Sequence, residues 1–246
     1  MPAIVVCVED YGIAHGVCDA ALDLLAMGRV SAIAARPGGA AFATRAAELA
    51  ALERSVGVGL SLDLGETPAR LSLAALAGRL DRERLRARVL RDLDAFAAAV
   101  GRPPDFVGAP GEAHTLPGLR GALLEALAAR DLAGRLWLRD PGGLLARGFR
   151  RAASAGGYET NRGYAAFPRR GRDRPVPATY ERLVQRLGPA PLLVGTPAYR
   201  DATLDALGPR AEIRERELFY LSSERFADLM EVMAWRLVPA PAAHSP

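Results

Sequence analysis

Two adjacent carboxylates, Glu9 and Asp10, end the first apolar run of the sequence, residues 4–8. An apolar run of this length is typical of a buried strand. Other polar residues that could do chemistry lie near or after the ends of later apolar runs: Ser61, Asp63, Glu112 and Thr196. A carboxylate in such a place can act as a general base or bind a cation. These residues can act together only if the fold brings the strand ends to one place.

The elements that must position these residues alternate along the chain. Apolar runs typical of strands cover residues 4–8, 31–35, 56–62, 106–107, 135–138 and 191–195. Apolar residues at helical spacing cover residues 16–27, 42–53, 81–100, 119–130, 144–155 and 179–187. Strand–helix repeats of this kind predict parallel strands joined by right-handed crossovers. A closed barrel and an open doubly wound sheet both satisfy this rule.

The residues after the first strand favour the barrel. An open sheet normally carries a glycine-rich phosphate loop there. This chain has Glu9-Asp10-Tyr11-Gly12 instead, and its acidic residues would repel a pyrophosphate. In a barrel, the carboxyl ends of the strands converge on one face. We therefore predict an α/β fold, a distorted (β/α) barrel, with the polar residues named above on its catalytic face.

The composition limits the class of protein. The 246 residues are 50% hydrophobic and 24% charged, which suffices for one large core. We expect a single domain over residues 1–238 and a disordered Pro/Ala-rich tail over residues 239–246. The net charge of +4 does not indicate nucleic-acid binding, because basic and acidic residues alternate, as in Asp81-Arg82-Glu83-Arg84.

Cysteine usage and hydropathy predict a compartment. Cys7 and Cys18 are the only cysteines and have no CxxC spacing, so a reducing environment fits best. The first residues lack the features of a signal peptide, and no apolar stretch approaches the 18 or so residues of a membrane span. We expect a cytoplasmic protein without a membrane partner.

Several segments follow a known pattern in the same order. Val8-Glu9-Asp10-Tyr11-Gly12-Ile13 is similar to an Asp-Asp-Phe/Tyr-Gly motif, and Val58-Gly59-Leu60-Ser61-Leu62 is similar to a Gly-Leu-His strand. Residues 157–165 resemble a Thr-Asn-containing loop, and Val194-Gly195-Thr196-Pro197 resembles a His-Pro-Gly segment. On these segments, and on Arg214-Glu215-Arg216-Glu217 near the C-terminus, the chain resembles the YdjC-like (ChbG/HpnK) carbohydrate deacetylases over nearly its whole length.

The resemblance implies a barrel of the glycoside hydrolase/deacetylase type and a metal-dependent amide hydrolase that acts on an N-acetyl sugar. The family uses a divalent metal, magnesium or zinc, held by an acidic residue and two histidines. Asp10 matches the metal-binding acid. Glu9 stands where the companion aspartate, the catalytic base, is expected.

The histidines of this pattern are replaced in the sequence. Ser61 and Thr196 each stand where the family has a histidine, and Gly108-Ala109-Pro110-Gly111-Glu112 replaces an Asp-Gly/Ser-His-x-His segment. We therefore expect deacetylase activity to be altered or lost, and the metal to be held differently or not at all.

One alternative metal site uses residues just past the lost ligand. Glu112 and His114, together with Asp10 and with Asp63 as a further ligand, could form an oxygen-rich site for a hard cation. In the simpler interpretation, His114 caps or packs near the turn that follows it.

Two classes of function follow. One is a deacetylase with a rebuilt metal site, and the other is a non-catalytic carbohydrate-binding or regulatory pseudoenzyme. In both, a small carbohydrate is the expected ligand, and Arg139, Asn161 and Thr196 are the candidates that contact it. A homodimer is compatible with such a barrel.

Overall fold

The strands and helices alternate through most of the chain, as the sequence predicts. The structure is a computed structural model that describes residues 2–143, 146–168, 175–188, 191–208 and 210–241. The strands are β1 (Ala3–Tyr11), β2 (Ala32–Ala35), β3 (Gly57–Ser61), β4 (Phe106–Gly108), β5 (Trp137–Leu138), β6 (Glu159–Thr160), β7 (Gly163–Ala166), β8 (Pro191–Gly195) and β9 (Arg236–Leu237). The helices are α1 (His15–Ala26), α2 (Phe42–Ala50), α3 (Pro68–Leu76), α4 (Arg82–Val100), α5 (Leu119–Ala128), α6 (Ala146–Ala155), α7 (Val176–Gln185), α8 (Ala202–Ala206), α9 (Ala211–Leu221) and α10 (Glu224–Val232). A 3-10 helix spans Pro110–Thr115.

Eight of the strands form one curled parallel sheet in the order β6-β5-β4-β3-β2-β1-β8-β7. The short β9 pairs with the start of β1. The two ends of this order, β6 and β7, are separated in the chain only by Asn161 and Arg162. The segment 159–166 therefore connects the two edges of the sheet. This arrangement confirms the predicted single-domain distorted (β/α) barrel.

Side chains of the strands point alternately into the barrel and toward the helices. The interior holds a small apolar core made of Val5, Cys7, Ala32, Ala34, Phe106, Trp137, Leu192 and Val194. The Phe106 and Trp137 rings stack in it with centroids 4.5 Å apart. Gly59 makes room for them, because a Cβ at this position would lie 2.4 Å from the Phe106 ring.

A polar layer lies directly above this apolar core. The next inward position along the strands lies two residues further toward the carboxyl end. It is occupied by Glu9, Arg36, Ser61, Gly108, Arg139 and Thr196. The alternation of the strands thus places residues of six strands on one layer at the carboxyl face, where parallel barrels carry their sites.

The helices cover the outer face of the sheet. Outward residues of β1, such as Ile4, Val6 and Val8, belong to the large core beneath the helices. The longest helix, α4, begins after Asp81, whose carboxylate accepts a hydrogen bond from the Arg84 amide at 2.9 Å. It ends at Gly101 with φ of 76°, a left-handed conformation that glycine adopts at little cost.

The predicted elements correspond to observed ones, with ends shifted by a few residues. Residues 144–145 of one predicted helix lie outside the described part of the chain. The sequence did not reveal β7, because Gly163-Tyr164-Ala165-Ala166 lacks the β-branched residues typical of strands. It also predicted no helix where α3 forms, a helix that Thr67 caps and Pro68 starts.

The C-terminal part of the chain returns to the barrel. The Val238 amide donates a hydrogen bond to the Ile4 carbonyl at 2.9 Å, extending the contact between β9 and β1. Residues 242–246 of the predicted tail lie outside the described residues. Among the helices that the structure describes, none has the length and hydropathy needed to cross a membrane.

Asn161 fastens the segment that connects the two edges of the sheet. Its side-chain oxygen accepts from the Asp140 amide at 2.8 Å, and its nitrogen donates to the Asp140 carbonyl at 2.7 Å and the Gly163 carbonyl at 2.8 Å. The side chain is fully buried. It therefore joins the end of β5 to the start of β7.

We expect Asn161→Ala to destabilise the barrel by about 2–4 kcal/mol, because three buried backbone groups lose their partner. Arg162→Ala, at the exposed neighbouring position, is the control and should change the free energy of unfolding by less than about 0.5 kcal/mol. Urea denaturation of both variants measures this. Equal stability of the two variants would show that Asn161 does not fasten the barrel.

Candidate functional site

A bulge in β1 directs Glu9 and Asp10 to the same face. The strand advances by three residues, from Val8 to Tyr11, while its partner β2 advances by two, from Ile33 to Ala35. Asp10 has a φ of 67°, which is uncommon outside glycine. Bulges redirect side chains in this way at many sites. Both carboxylates are consequently buried at the mouth of the barrel.

Asp10 lies between two arginines. Arg36, at the end of β2, donates to Oδ1 at 2.8 Å, and Arg214, on α9, donates to Oδ2 at 2.6 Å. Asp10 and Arg214 are both buried, so these charge-assisted bonds are poorly screened by solvent. The carboxylate that the family pattern assigns to metal binding is thus already neutralised by protein cations.

Arg139 occupies the centre of the polar layer. Its guanidinium ion-pairs with Glu9 through Nη1, donates to Glu112 Oε2 through Nε at 2.9 Å, and donates to the Ala109 carbonyl through Nη2 at 2.5 Å. Only 1% of the residue is exposed. The sequence placed Arg139 at the barrel mouth as a ligand contact, and the structure places it there with its guanidinium bonded to the protein's own acceptors.

Residues 108–112, which replace the expected histidine cluster, leave space for Arg139 and bind it. A Cβ at Gly108 would lie 2.6 Å from Arg139 Nε, so only glycine leaves room for the side chain. Gly111 and Glu112 both have φ near 60°. This left-handed turn brings the Glu112 carboxylate onto Arg139.

Glu112 also accepts a hydrogen bond from Tyr164. The Tyr164 hydroxyl donates to Oε1 at 2.6 Å. Burial raises the pKa of Glu112, an effect that the Arg139 charge opposes. Burial and the Glu112 charge raise the pKa of Tyr164 in turn. Tyr164 is therefore neutral at physiological pH and remains a donor.

His114 is buried and neutral. Its Nε2 lies 2.6 Å from the Arg139 carbonyl, which can only accept, so Nε2 carries the proton. Burial and the nearby Arg139 charge lower the pKa of His114 to about 3. The ring also meets Phe149 edge to face at 5.2 Å. As the simpler interpretation of the sequence proposed, His114 packs near its turn, where it holds the Arg139 backbone.

Thr196 belongs to a second buried group around Glu217. Glu217 accepts from the Thr196 amide at 2.8 Å and hydroxyl at 3.3 Å, and from the Tyr180 hydroxyl at 2.5 Å. Burial raises the pKa of Glu217, which these hydrogen bonds oppose. Thr196 is thereby fixed with its side chain beside the cavity described next.

A cavity of about 240 Å³ opens beside these residues. The polar residues of its lining are Glu9, Glu112, Tyr164 and Thr196, and its apolar residues include Phe167 and Val194. A cavity with both polar and apolar lining suits a small molecule that has both kinds of surface.

The remaining predicted site residues lie elsewhere in the same region. Ser61 is buried at the end of β3, and its hydroxyl has no hydrogen-bond partner among the described residues. Asp63 lies in the loop after β3 and accepts from the Gly65 amide at 2.9 Å. Asn161 uses its side-chain amide on the backbone of the barrel.

The residues present do not fit a divalent metal ion. Asp10 is bonded to two arginines, and Glu9 and Glu112 are bonded to a third. His114 uses Nε2 on a backbone carbonyl. Across the described ranges, no group of three or more His, Cys, Asp or Glu side chains has the arrangement needed to hold a metal ion.

Sequence reasoning did not identify Arg36 and Arg214, the two arginines that neutralise Asp10. Arg36 directly follows β2, as Ser61 ends β3. Its place at a strand end was the signal that could have identified it as a site residue. Arg214 and Glu217 lie in the Arg-Glu-Arg-Glu segment that the family resemblance marked without a role. Tyr164 lies on the strand that the sequence pattern did not reveal.

Comparisons with known proteins agree with this architecture. The sequence pattern of the family described as YdjC-like protein matches residues 3–232. A comparison with curated protein sequences gave no match.

Solved structures share the fold at low identity. A protein of Enterococcus faecalis, provisionally described as a cellobiose-phosphate cleavage protein, is 15% identical with a TM-score of 0.78, over 96% of this chain and 97% of that one. The lactam utilization protein of Thermus thermophilus is 16% identical with a TM-score of 0.59, over 97% and 100%. A family 4 carbohydrate esterase of Streptomyces lividans is 11% identical with a TM-score of 0.54, over 95% and 90%.

We expect His114 to remain neutral, with its proton on Nε2, down to about pH 3. An ordinary histidine in the unfolded chain titrates near pH 6.5. The stability gained by keeping this ring neutral is therefore present above pH 6.5 and lost as the pH falls below it.

Long-range ¹H–¹⁵N NMR of histidine-labelled protein measures both properties, and His114→Gln identifies the signals. Protonation of the ring with a midpoint above pH 5, or a proton on Nδ1 at pH 7, would contradict the assignment.

Proposed function

Since the chain belongs to the YdjC-like protein family, we propose that it binds a small carbohydrate in the cavity at the barrel mouth and has lost metal-dependent deacetylation. The chain has a carbohydrate-deacetylase-like fold. The fold alone does not determine activity. The observation that supports loss of the metal-dependent reaction is the pair of salt bridges that Asp10 forms with Arg36 and Arg214.

Electrostatic repulsion explains why these two salt bridges oppose metal binding at Asp10. A divalent cation bound to Asp10 would lie within a few ångströms of two guanidinium groups, and like charges at such distances repel strongly in a buried site. The metal-binding histidines that would compensate are replaced at Ser61 and in the segment Gly108-Ala109-Pro110-Gly111-Glu112. Amide hydrolysis of the family type needs a metal to activate water and polarise the carbonyl. Without it, Glu9 has no activated water from which to remove a proton.

The cavity retains features suited to a sugar. Tyr164 and Thr196 carry hydroxyl groups, and Glu9 and Glu112 carry carboxylates that accept hydrogen bonds from sugar hydroxyls. Phe167 and Val194 offer apolar surface for the carbon face of a ring. The cavity volume of about 240 Å³ suits a monosaccharide or one end of a short oligosaccharide.

The cysteines bear on the compartment in which the protein works. The thiols of Cys7 and Cys18 are free and buried, which suits a reducing compartment, and we propose a cytoplasmic location. A homodimer stays a prediction.

We expect N-acetylglucosamine and its β-1,4-linked dimer to bind with equal affinity with and without added zinc, magnesium or manganese. No acetate should be released above the background rate under either condition. Isothermal titration calorimetry and an enzymatic acetate assay measure the two properties. Metal-dependent acetate release that Asp10→Ala abolishes would instead establish a deacetylase with a rebuilt metal site.

A matched pair of variants places the ligand in the cavity. Tyr164→Phe removes a hydroxyl that lines it and should weaken sugar binding about tenfold, the value of one hydrogen bond to a charged or polar group. Tyr158→Phe is the control, because the Tyr158 hydroxyl is buried without a hydrogen-bond partner among the described residues. Absence of binding by any of these sugars at millimolar concentration would refute the carbohydrate proposal.

A further inference from the structure

The guanidinium of Arg139 is held like a bound cation. It contacts two carboxylates, Glu9 and Glu112, and one backbone carbonyl, that of Ala109. Carboxylate and carbonyl oxygens are also the ligands that hard divalent cations take. The guanidinium is buried among them, so its charge is balanced by protein oxygens and not by water.

The chain around Arg139 is shaped for this group. Gly108 leaves the space through which the side chain passes, since a Cβ there would lie 2.6 Å from Nε. Left-handed backbone at Gly111 and Glu112 turns the Glu112 carboxylate inward. His114 donates to the Arg139 carbonyl and fixes the backbone from which the side chain extends. Elements distant in sequence, β1, β4 with the 3-10 helix, and β5, therefore converge on one cation.

An arginine differs from a metal ion in one important respect. The guanidinium cannot be deprotonated in proteins and cannot dissociate. Its positive charge at the site consequently does not depend on the supply of a metal or on pH. A divalent ion between Glu9 and Glu112 would have to displace this group, which is covalently part of the chain.

We infer that Arg139 is a built-in cation of this site: its guanidinium occupies the space between Glu9 and Glu112 that a divalent cation could otherwise take, and it makes the charge balance of these two carboxylates independent of metal. This inference concerns the same site as the proposed function but does not require that the ligand be a carbohydrate. It predicts that removing the guanidinium exposes a pair of carboxylates that can accept a metal ion.

The first measurement is made on the full wild-type chain. Elemental analysis should find no stoichiometric metal, and the melting temperature should not change on addition of chelator, magnesium, manganese or zinc. A stoichiometric metal, or a melting temperature that falls with chelator, would overturn the inference.

The second measurement uses Arg139→Ala, which removes the guanidinium that Glu9 and Glu112 share. Its melting temperature should fall by roughly 10 °C, because removing one side of a buried ion pair is strongly destabilising. Millimolar magnesium, manganese or zinc should then restore several degrees. Guanidinium ion at low millimolar concentration should have a similar effect, since it refills the same space.

A matched control separates this effect from a general response to salt. Arg150→Ala removes another arginine–carboxylate pair, that of Arg150 with Asp140 at 2.6 Å, outside the Glu9–Glu112 pair. Its melting temperature should not respond to the same cations. If it responds as strongly as Arg139→Ala, or if folded Arg139→Ala does not respond, the inference is overturned.

A second variant covers the case in which Arg139→Ala does not fold without added cation. Arg139→Gln keeps a side-chain donor at about the position of Nε, which faces Glu112, and removes the charge. It is carried through the same titrations, and a folded Arg139→Gln protein without cation-dependent stabilisation overturns the inference. Sugar binding is measured separately on the wild type, so failure of the carbohydrate proposal remains distinguishable from failure of this one.

Discussion

The charge of Arg139 can be buried only if carboxylates accompany it, and this constraint organises the mouth of the barrel. An unpaired ion in a protein interior costs several kcal/mol or more. Glu9 and Glu112 meet that requirement from two different strand ends. Glu9 points inward by the alternation of β1, whereas Glu112 reaches the guanidinium because the chain turns left-handed at Gly111 and Glu112. This backbone conformation, which is costly for a non-glycine residue, is thus explained by one buried ion.

A second charge group repeats the same principle next to the first. Asp10 is neutralised by Arg36 and Arg214, and the Arg214 guanidinium also reaches the Thr196 carbonyl at 3.4 Å. Thr196 in turn bonds to Glu217. The contacts of Asp10 and of Glu217 therefore connect the ends of β1, β2 and β8 with helix α9. Because each carboxylate's geometry depends on its arginine, substitutions at the mouth are expected to be non-additive.

Sequence reasoning predicted the fold and the face on which the candidate residues lie, but it did not predict how their charges are balanced. Alternation of strands and helices sufficed for the barrel, and the barrel rule brought Glu9, Asp10, Glu112 and Thr196 to one face. The pairing of Arg139 with Glu9 spans 130 residues, and no local pattern encodes which of many arginines makes it. Asn161 was a candidate ligand contact because of its residue type. Its three hydrogen bonds to backbone groups depend instead on the fold, which brings the residues after β5 close to the start of β7.

The barrel can keep its fold while its site changes, because the fold depends on the apolar core and the site lies in the polar layer above it. The stack of Phe106 and Trp137 and the small residues around it fill the interior below the polar layer. Nothing in that apolar core requires a metal ion. Above it, the requirement is only that charges be balanced, and three arginines satisfy it for Glu9, Asp10 and Glu112. Replacement of metal ligands is therefore compatible with a stable barrel once protein cations take over the balance, and the cavity beside them remains available to a ligand.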